Sequence, residues 1–321
     1  MPRFLGIDTS NYTTSVSVVD GGKVALNLKS PLKVREGQLG LRQSDAVFAH
    51  VSNLPTLMER LDASDSVKNY SAVGCAARPR DAESSYMPCF LAGVAAAHSA
   101  AAALGVPVFD FSHQAGHIAA AVWSSGGELF DCDRFLAFHV SGGTTELLLC
   151  DGHDFGCEII GGTKDLNAGQ AIDRIGVMMG LDFPCGPALE KLADDYLSAL
   201  KIGKKPRNKP EISVDGTECN LSGLENIAAR MKRNGEPDGK TALFAIDFIR
   251  DTLDRMTENA LRQYPGLPLL YAGGVMSNRR IRGYFETKYN ALFAEPEYSS
   301  DNAAGIALLT SRKWDKLNDK R

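Results

Sequence analysis

Apolar residues recur along this chain in two rhythms, at alternate positions and at a 3.6-residue spacing. The places where one gives way to the other outline its elements. Phe4-Leu5-Gly6-Ile7 runs into a polar turn from Asp8 to Thr14, and Ser15-Val16-Ser17-Val18-Val19 returns with strand-like alternation. Amphipathic spacing predicts a helix over 51–61; a short strand follows at 72–77 and an alanine-rich helix at 89–104. A second round opens with strands at 134–140 and 146–150 around the turn Ser141-Gly142-Gly143-Thr144-Thr145. Helices are expected at 169–179, 188–200 and 243–263, then a strand at 267–271, a helix opening at 277–280 and a last helix at 303–314. Pro268 confines its strand to an edge, or itself to the strand's first residues. The strand–turn–strand opening occurs twice, near 4–19 and 134–150, which suggests two halves of similar architecture.

One stretch imitates a membrane span. Residues 89–109 are nearly uncharged, but they are rich in alanine, contain His98 and Ser99, and are broken by Gly105 and Pro107. A buried helix followed by a short buried strand fits them better. The first residues, Met-Pro-Arg-Phe-Leu-Gly-Ile-Asp, lack the pattern of a signal peptide and enter a strand directly. A chain of 321 residues has room for one large or two medium domains with sizeable cores.

Charge and cysteine content narrow the setting. A net charge of −4 argues against a protein that grips nucleic acid over its whole surface, leaving a local basic patch or a partner as the route to such a ligand. Lys201-Ile202-Gly203-Lys204-Lys205-Pro206-Arg207-Asn208-Lys209 is the one basic run, and a solvated loop accounts for it better than a nucleic-acid contact. The seven cysteines are scattered and never spaced as CxxC, so reduced thiols in a cytoplasmic protein are expected rather than a cysteine-based zinc site.

Chemistry enters with Phe111-Ser112-His113-Gln114-Ala115-Gly116-His117-Ile118. Ser112 is a good N-cap, and on the helix it would start, His113 and His117 share one face. Such a pair is either two solvent-exposed histidines or a site for zinc or iron. A zinc peptidase is not expected, because Gln114 stands where HExxH carries its general base. Three polar turns, at 8–14, 141–145 and 273–278, each follow an apolar strand, and two of them are rich in glycine. Glycine-rich turns bring backbone N–H groups close to phosphate oxygens. In this order, with Asp8 closing the first strand, they resemble the two phosphate loops and the adenosine loop of actin/hexokinase-like ATPases.

The blocks Gly6-Ile7-Asp8-Thr9-Ser10, His113-Gln114-Ala115-Gly116-His117, Val140-Ser141-Gly142-Gly143-Thr144-Thr145 and Ala168-Gly169-Gln170-Ala171-Ile172-Asp173 occur in that order. Gly180 to Pro187, Ser222-Gly223-Leu224, Ala272 to Arg280 and Ser300-Asp301-Asn302-Ala303-Ala304 follow them. With them the chain resembles, over nearly its whole length, the TsaD (YgjD) family of tRNA threonylcarbamoyladenosine synthases. The resemblance implies an α/β, two-lobed, actin/hexokinase-like fold of duplicated mixed sheets, with a nucleotide and metal cleft. The first lobe would take 1–112 plus 301–321 and the second 113–300. It implies a divalent iron or zinc ion on His113, His117 and Asp301. On that division the ligands come from both lobes, and lobe closure would tune the metal site. Val140, Ser141, Gly142, Gly143 and Thr144 match the loop for ATP, AMP or threonylcarbamoyl-adenylate. Asp173 and Gly186 match the ribose site; Asn278, with Gly273 and Gly274 before it, lies toward adenine. The resemblance also admits magnesium. Asp8 and Asp301 are the candidate catalytic residues. His139, where archaeal and eukaryotic relatives carry a metal-binding tyrosine, is either a further ligand or a histidine packed along a strand.

The implied activity is metal-dependent transfer of a threonylcarbamoyl group from the adenylate to the exocyclic amine of a tRNA adenosine beside the anticodon. The implied partners are tRNA, directly or through other proteins, a paralogous TsaB-like subunit and a TsaE-like ATPase. A membrane is not among them. Three departures leave two alternatives open. Asn11-Tyr12-Thr13 replaces a cysteine and two acidic residues, a charged stretch from Arg78 to Pro88 replaces a Gly-Pro-Gly-Leu loop, and Thr144 stands where bacterial members usually have histidine. A carbamoyl transferase with another acceptor would show such changes, as would a divergent member of the family; the other alternative is a non-catalytic nucleotide-binding partner of a synthase, against which His113, His117 and Asp301 together argue.

Overall fold

The computed structural model describes residues 1–10, 12–33, 41–64, 69–82, 84–153, 155–200, 210–299 and 301–318. Asn11, Ser300 and the basic run 201–209 therefore lie outside the described residues. The chain packs into two compact units, one of Met1–Asp133, Asp151–Cys157 and Glu297–Arg321, the other of Arg134–Cys150 and Glu158–Pro296.

In chain order the first unit contributes β1 (Arg3–Asp8), β2 (Thr13–Asp20), β3 (Lys23–Pro31), α1 (Gln43–Ser64), β4 (Ala72–Arg78), α2 (Phe90–Leu104), β5 (Val108–Ser112) and α3 (His113–Ser124). The chain continues through β6 (Arg134–Val140), β7 (Thr145–Asp151), β8 (Cys157–Thr163), α4 (Ala168–Met178), α5 (Gly186–Ala199), β9 (Ser213–Asp215) and β10 (Glu218–Asn220). Then come α6 (Ser222–Arg233), α7 (Asp238–Gln263), β11 (Leu269–Ala272), α8 (Arg279–Tyr289) and β12 (Leu292–Phe293), before α9 (Ala304–Asn318) returns to the first unit.

The first unit's sheet runs β3-β2-β1-β4-β5. Strands β1, β2 and β3 pair antiparallel, and β4 and β5 add in parallel. The second unit's sheet runs β12-β11-β6-β7-β8-β10-β9. Taken in chain order, β6, β7, β8, β11 and β12 repeat the arrangement of β1, β2, β3, β4 and β5, with the β9–β10 hairpin added at one edge. The duplication expected from the two strand–turn–strand openings is thus present as repeated sheet topology.

Core packing explains why these strands are central. Every residue of β1 is buried; Leu5 and Ile7 pack with Val16, Val18 and Val73 and with Leu54 and Leu57 of α1. Phe4 packs instead with Val19, Ala307 and Leu308, so α9 covers the opposite face of the sheet. In the second unit Tyr271 of β11 stacks between Phe138 of β6 and Phe293 of β12, at 4.9 and 5.2 Å, and its hydroxyl meets Thr257 Oγ1 at 2.7 Å. A buried phenol with a buried partner keeps its polar end satisfied inside an apolar cluster.

Most elements expected from periodicity are found with small changes at their ends; α1 is longer than expected, beginning at Gln43 rather than 51, and α6 was not expected. Pro268 lies just ahead of β11 and passes its carbonyl to Leu136 N at 2.9 Å, so it removes no hydrogen bond from the ladder. The uncharged stretch 89–109 divides into α2, closed by Gly105 in the left-handed conformation, and the start of β5. No helix among the described residues is long and apolar enough to cross a membrane. Short or weakly alternating strands went unread in the sequence: β3, β8 and the β9–β10 hairpin are half-exposed elements without a clean two-residue pattern.

The domain boundary differs from the one expected at 112/113. Helix α3 belongs to the first unit because it packs along α9, and the glycines make that approach possible. A Cβ on Gly305 would run into the carbonyl of Gly116, and one on Gly116 would lie 2.9 Å from Ile306 Cδ1. Gly305→Ala should therefore destabilise the chain by about 1–3 kcal/mol, the usual cost of overpacking a filled interior. Gly283→Ala, on an exposed stretch of α8 where a Cβ would meet nothing, should stabilise it by up to about 1 kcal/mol. Chemical denaturation of the two variants checks both signs.

Candidate metal centre and nucleotide loops

Helix α3 starts where its cap permits. Ser112 is extended, with φ −80° and ψ 150°, and its hydroxyl accepts from Ala115 N at 3.1 Å. The same hydroxyl donates to Asp81 Oδ2 at 2.8 Å, and Asp81 is paired with Arg78 at 2.7 Å. The carbonyl of Pro79 accepts from Gln114 N at 3.1 Å. The charged stretch from Arg78 to Pro88 thus braces the first turn of the histidine helix from outside.

From that turn His113 and His117 face the same way, as their spacing requires. Their Nε2 atoms are 2.9 Å apart. Asp301 Oδ1, just ahead of α9, lies 3.1 Å from His117 Nε2 and 3.6 Å from His113 Nε2. The side chains of His113 and His117 are only 14% and 8% exposed, which rejects the reading of two histidines on a solvated face. All three donors belong to the first unit, so the expectation that the ligands come from both lobes is corrected. The tight packing of α3 on α9 is the reason.

Asp8 closes the arrangement from behind. It is buried at the end of β1; its Oδ1 accepts from Ser10 N at 2.8 Å and its Oδ2 lies 2.7 Å from His113 Nδ1. A carboxylate can only accept, so Nδ1 carries a proton and Nε2 is left to face His117 and Asp301. Burial by itself would lower the pKa of His113, but Asp8 and Asp301 outweigh it and raise it to about 10. Burial would likewise raise that of Asp301, yet its hydrogen bonds to His113 and His117 hold the carboxyl well below the usual range.

Two imidazole nitrogens and one carboxylate oxygen within 4.8 Å of one another are a fitting donor set for zinc or ferrous iron. The carboxylate on the rear nitrogen of His113 is the support such a ligand needs. Nearby polypeptide holds buried polar atoms with no partner among the described residues: Ser10 Oγ, in the turn after β1, and His50 Nε2, in α1. His50 is fully buried, touches Thr14 Oγ1 through Nδ1 at 2.9 Å, and is kept below its ordinary pKa by burial against the pull of Asp8 and Asp301. Sequence reasoning passed over His50, because a lone histidine on an amphipathic helix carries no spacing signal.

The nucleotide candidates form their own group in the second unit. After β6, Ser141 N donates to Thr144 O at 2.7 Å and Gly143 N to Ser141 Oγ at 3.3 Å, which folds 141–144 into a tight turn. Gly169 N donates to Ser141 O at 3.1 Å, and a Cβ on Gly169 would lie 2.6 Å from Gly142 N. The turn thus rests on the first residues of α4. Gly273 has φ +100°, and a Cβ there would strike the carbonyl of Val140, so only glycine serves between β11 and the next turn. A Cβ at Gly274 or at Gly186, which begins α5, would meet nothing within 4 Å.

Asp173 accepts from Cys185 N at 2.8 Å, tying α4 to the turn before α5. Asn278 caps α8, its Oδ1 accepting from Arg280 N and Ile281 N at 3.1 Å each, which leaves its amide N–H group for any ligand. His139 sits on β6 opposite Ala272, in the second unit and outside the three-donor group.

The sequence model of a family described as tRNA N6-adenosine threonylcarbamoyltransferase (TsaD) matches residues 46–308. Proteins of that name from two strains of Thermus thermophilus are each 32% identical over 314 residues, spanning 96% of this chain and 92% and 91% of theirs. Among solved structures, component A of Acidaminococcus fermentans (R)-2-hydroxyglutaryl-CoA dehydratase superposes with a TM-score of 0.54. It is 14% identical and covers 98% of this chain and 100% of its own. HypF from T. kodakarensis gives 0.60 at 14% identity, over 99% of this chain and 48% of its own. At such identities these two describe the fold alone, which is actin/hexokinase-like.

The raised His113 sets a direction with pH. A metal must displace the proton on Nε2, so zinc uptake should release about one proton per chain, and apparent affinity should climb as the pH rises from about 6 to about 8. Because the folded value lies above the ordinary imidazole value of about 6.5, the stability His113 lends the metal-free chain is complete below that pH. It is lost as the pH climbs through about 10. Weakly buffered zinc titrations and metal-free melting curves across this range check both.

Proposed function

The chain belongs to the TsaD family and is a transferase. From that premise we propose that it moves a threonylcarbamoyl group from threonylcarbamoyl-adenylate to the N6 amine of a tRNA adenosine beside the anticodon. The observation that carries the reading is the convergence of His113, His117 and Asp301, backed by Asp8, in a chain whose second unit keeps the family's glycine-rich turns. In the reaction, the N6 nitrogen forms a bond to the carbamoyl carbon, the bond from that carbon to the phosphate oxygen breaks, AMP departs and one N6 proton is released.

The roles of the residues follow from their positions. His113 and His117 present Nε2 and Asp301 presents Oδ1 as ligands. Zinc or ferrous iron held by them would supply Lewis-acid polarisation of the carbamoyl oxygen. Asp8 acts as a positioning residue: its contacts to Ser10 N and His113 Nδ1 hold the imidazole's orientation and tautomer. The turn of Ser141, Gly142, Gly143 and Thr144, closed by the N–H groups of Ser141 and Gly143, offers those of Gly142 and Thr144 to the adenylate's phosphate, as glycine-rich turns do. Asp173 is assigned to the ribose and the amide N–H of Asn278 to the adenine side; Gly186 and Gly274 leave the backbone bare for the nucleotide to approach, and Gly273, packed on the carbonyl of Val140, shapes the turn that carries Gly274. His139, on β6, is given no part in this centre. Magnesium, tRNA, a TsaB-like subunit and a TsaE-like ATPase complete the proposed reaction system. The net charge of −4 is the reason to expect tRNA to be presented with partner proteins.

A reconstituted transfer assay tests the proposal. Metal-loaded protein is given threonylcarbamoyl-adenylate and unmodified tRNA, with and without the partner proteins, and the nucleosides are analysed by mass spectrometry. Threonylcarbamoyladenosine is the expected product. Its absence alongside bound metal and tight adenylate binding would overturn the assigned acceptor and indicate a different one. His117→Ala should lose at least about tenfold in metal affinity while keeping the fold. Asp173→Ala should weaken AMP binding about tenfold without loss of metal, since a single hydrogen bond to a charged group contributes about 1.5–3 kcal/mol. Metal analysis and AMP titration of the two variants separate these roles.

A further inference from the structure

A second group of donors gathers under α2, and nothing in the proposed reaction uses it. Cys75 of β4 and Asp110 of β5 stand directly opposite each other in the parallel register, so their side chains share a face of the sheet. Helix α2 covers that face: Ala92, Ala97 and Ala101 join Cys75 in one apolar cluster, and His98 follows Ala97 at its rim. Cys75 Sγ lies 3.1 Å from Asp110 Oδ1, and His98 Nε2 lies 3.2 Å from the same oxygen. All three donors fall within 4.8 Å of one another.

We propose that Cys75, His98 and Asp110 form a second metal site, for a divalent cation of the zinc class, with one coordination position open to water.

Three considerations carry this. The first is distance. A tetrahedral zinc with its sulfur at about 2.3 Å and its nitrogen and oxygen at about 2.0–2.1 Å spaces neighbouring donors about 3.3–3.6 Å apart. The two measured separations fall short by a few tenths of an ångström, which side-chain torsions absorb without moving the strands. The second is donor chemistry. Sulfur and imidazole with one carboxylate select a zinc-class ion over magnesium or calcium, which take oxygen ligands throughout. The third is access and scaffold. Cys75 is wholly buried, whereas His98 and Asp110 are 48% and 44% exposed, so an ion and its water reach the group from one side only. Two hydrogen-bonded strands and a helix hold the donors, which keeps the site's geometry defined.

Charge and protons balance. In the metal-free chain the Cys75 thiol donates to Asp110. Binding replaces that hydrogen with the cation and releases one proton to solvent, and the two negative charges of thiolate and carboxylate offset the two positive charges of the ion. The site shares no residue with His113, His117 and Asp301, and only this one contains sulfur.

That difference gives a clean test. The full chain, stripped with a chelator, is titrated with Co2+ and followed in the near ultraviolet, where cobalt–thiolate charge transfer absorbs. A thiolate band reporting a single site is expected, complete by two equivalents in the parent chain, where the centre on His113, His117 and Asp301 also takes cobalt, and by one equivalent in His117→Ala. Cys75→Ser should abolish it, His98→Ala should weaken the binding it reports at least tenfold, and His117→Ala should leave it in place. His98 is at the exposed rim, so its variant decides the matter even if Cys75→Ser folds poorly. No band at saturating Co2+, a band undiminished in either Cys75→Ser or His98→Ala, or a band lost in His117→Ala would overturn the proposal.

Discussion

The metal centre of the first unit depends on how closely two helix backbones approach. Helices α3 and α9 meet at Gly116 and Gly305, where neither position has room for a methyl group. Two helices with ordinary side chains between them stand about 8–10 Å apart. Removing the side chains at the crossing lets the segment before α9 come in far enough for Asp301 Oδ1 to reach His117 Nε2 at 3.1 Å. The chemistry of the donor set therefore rests on a steric condition that two glycines satisfy, and that condition also assigns α3 to the first unit.

Around this contact the charges are arranged so that each buried group answers another. Asp8 at the end of β1 takes the rear nitrogen of His113; Asp301 faces both front nitrogens. Isolated carboxylates and imidazolium groups are costly to bury, and mutual pairing offsets that cost. The charged stretch from Arg78 extends the pattern outward through Asp81 to the Ser112 cap. Its contacts serve the same helix.

The second unit solves a different problem with the same sheet order. Its polar turns are shaped by backbone contacts: Ser141 against Gly169, and Gly273 against Val140. These contacts leave N–H groups and bare backbone at the ends of strands, where a phosphate or sugar can approach. Asp173 and Asn278 are partly committed to holding α5 and α8 in place. The residues assigned to the nucleotide are therefore also structural, so their substitution must be read through affinity and stability together.

Much of this was legible in the chain itself. Local patterns are short-range, so the alternation around Phe4 and Phe135, the Ser112 cap, the i,i+4 histidines and the repeated strand–turn–strand opening could be read without a structure. So could the family, because its motifs are contiguous blocks in a set order. What tertiary structure alone decided is which distant residues meet. Asp8 and His113 are 105 positions apart, and His117 and Asp301 are 184 apart. The contact of Asp8, a candidate catalytic residue, with His113 Nδ1 is one that no local pattern reports; Cys75, His98 and Asp110 gave no spacing signal and came together through strand register and one covering helix. The physical reason is that periodicity reports which face of an element is apolar. The partner that face finds is set by packing, here by glycines whose missing side chains are invisible to any hydrophobic pattern.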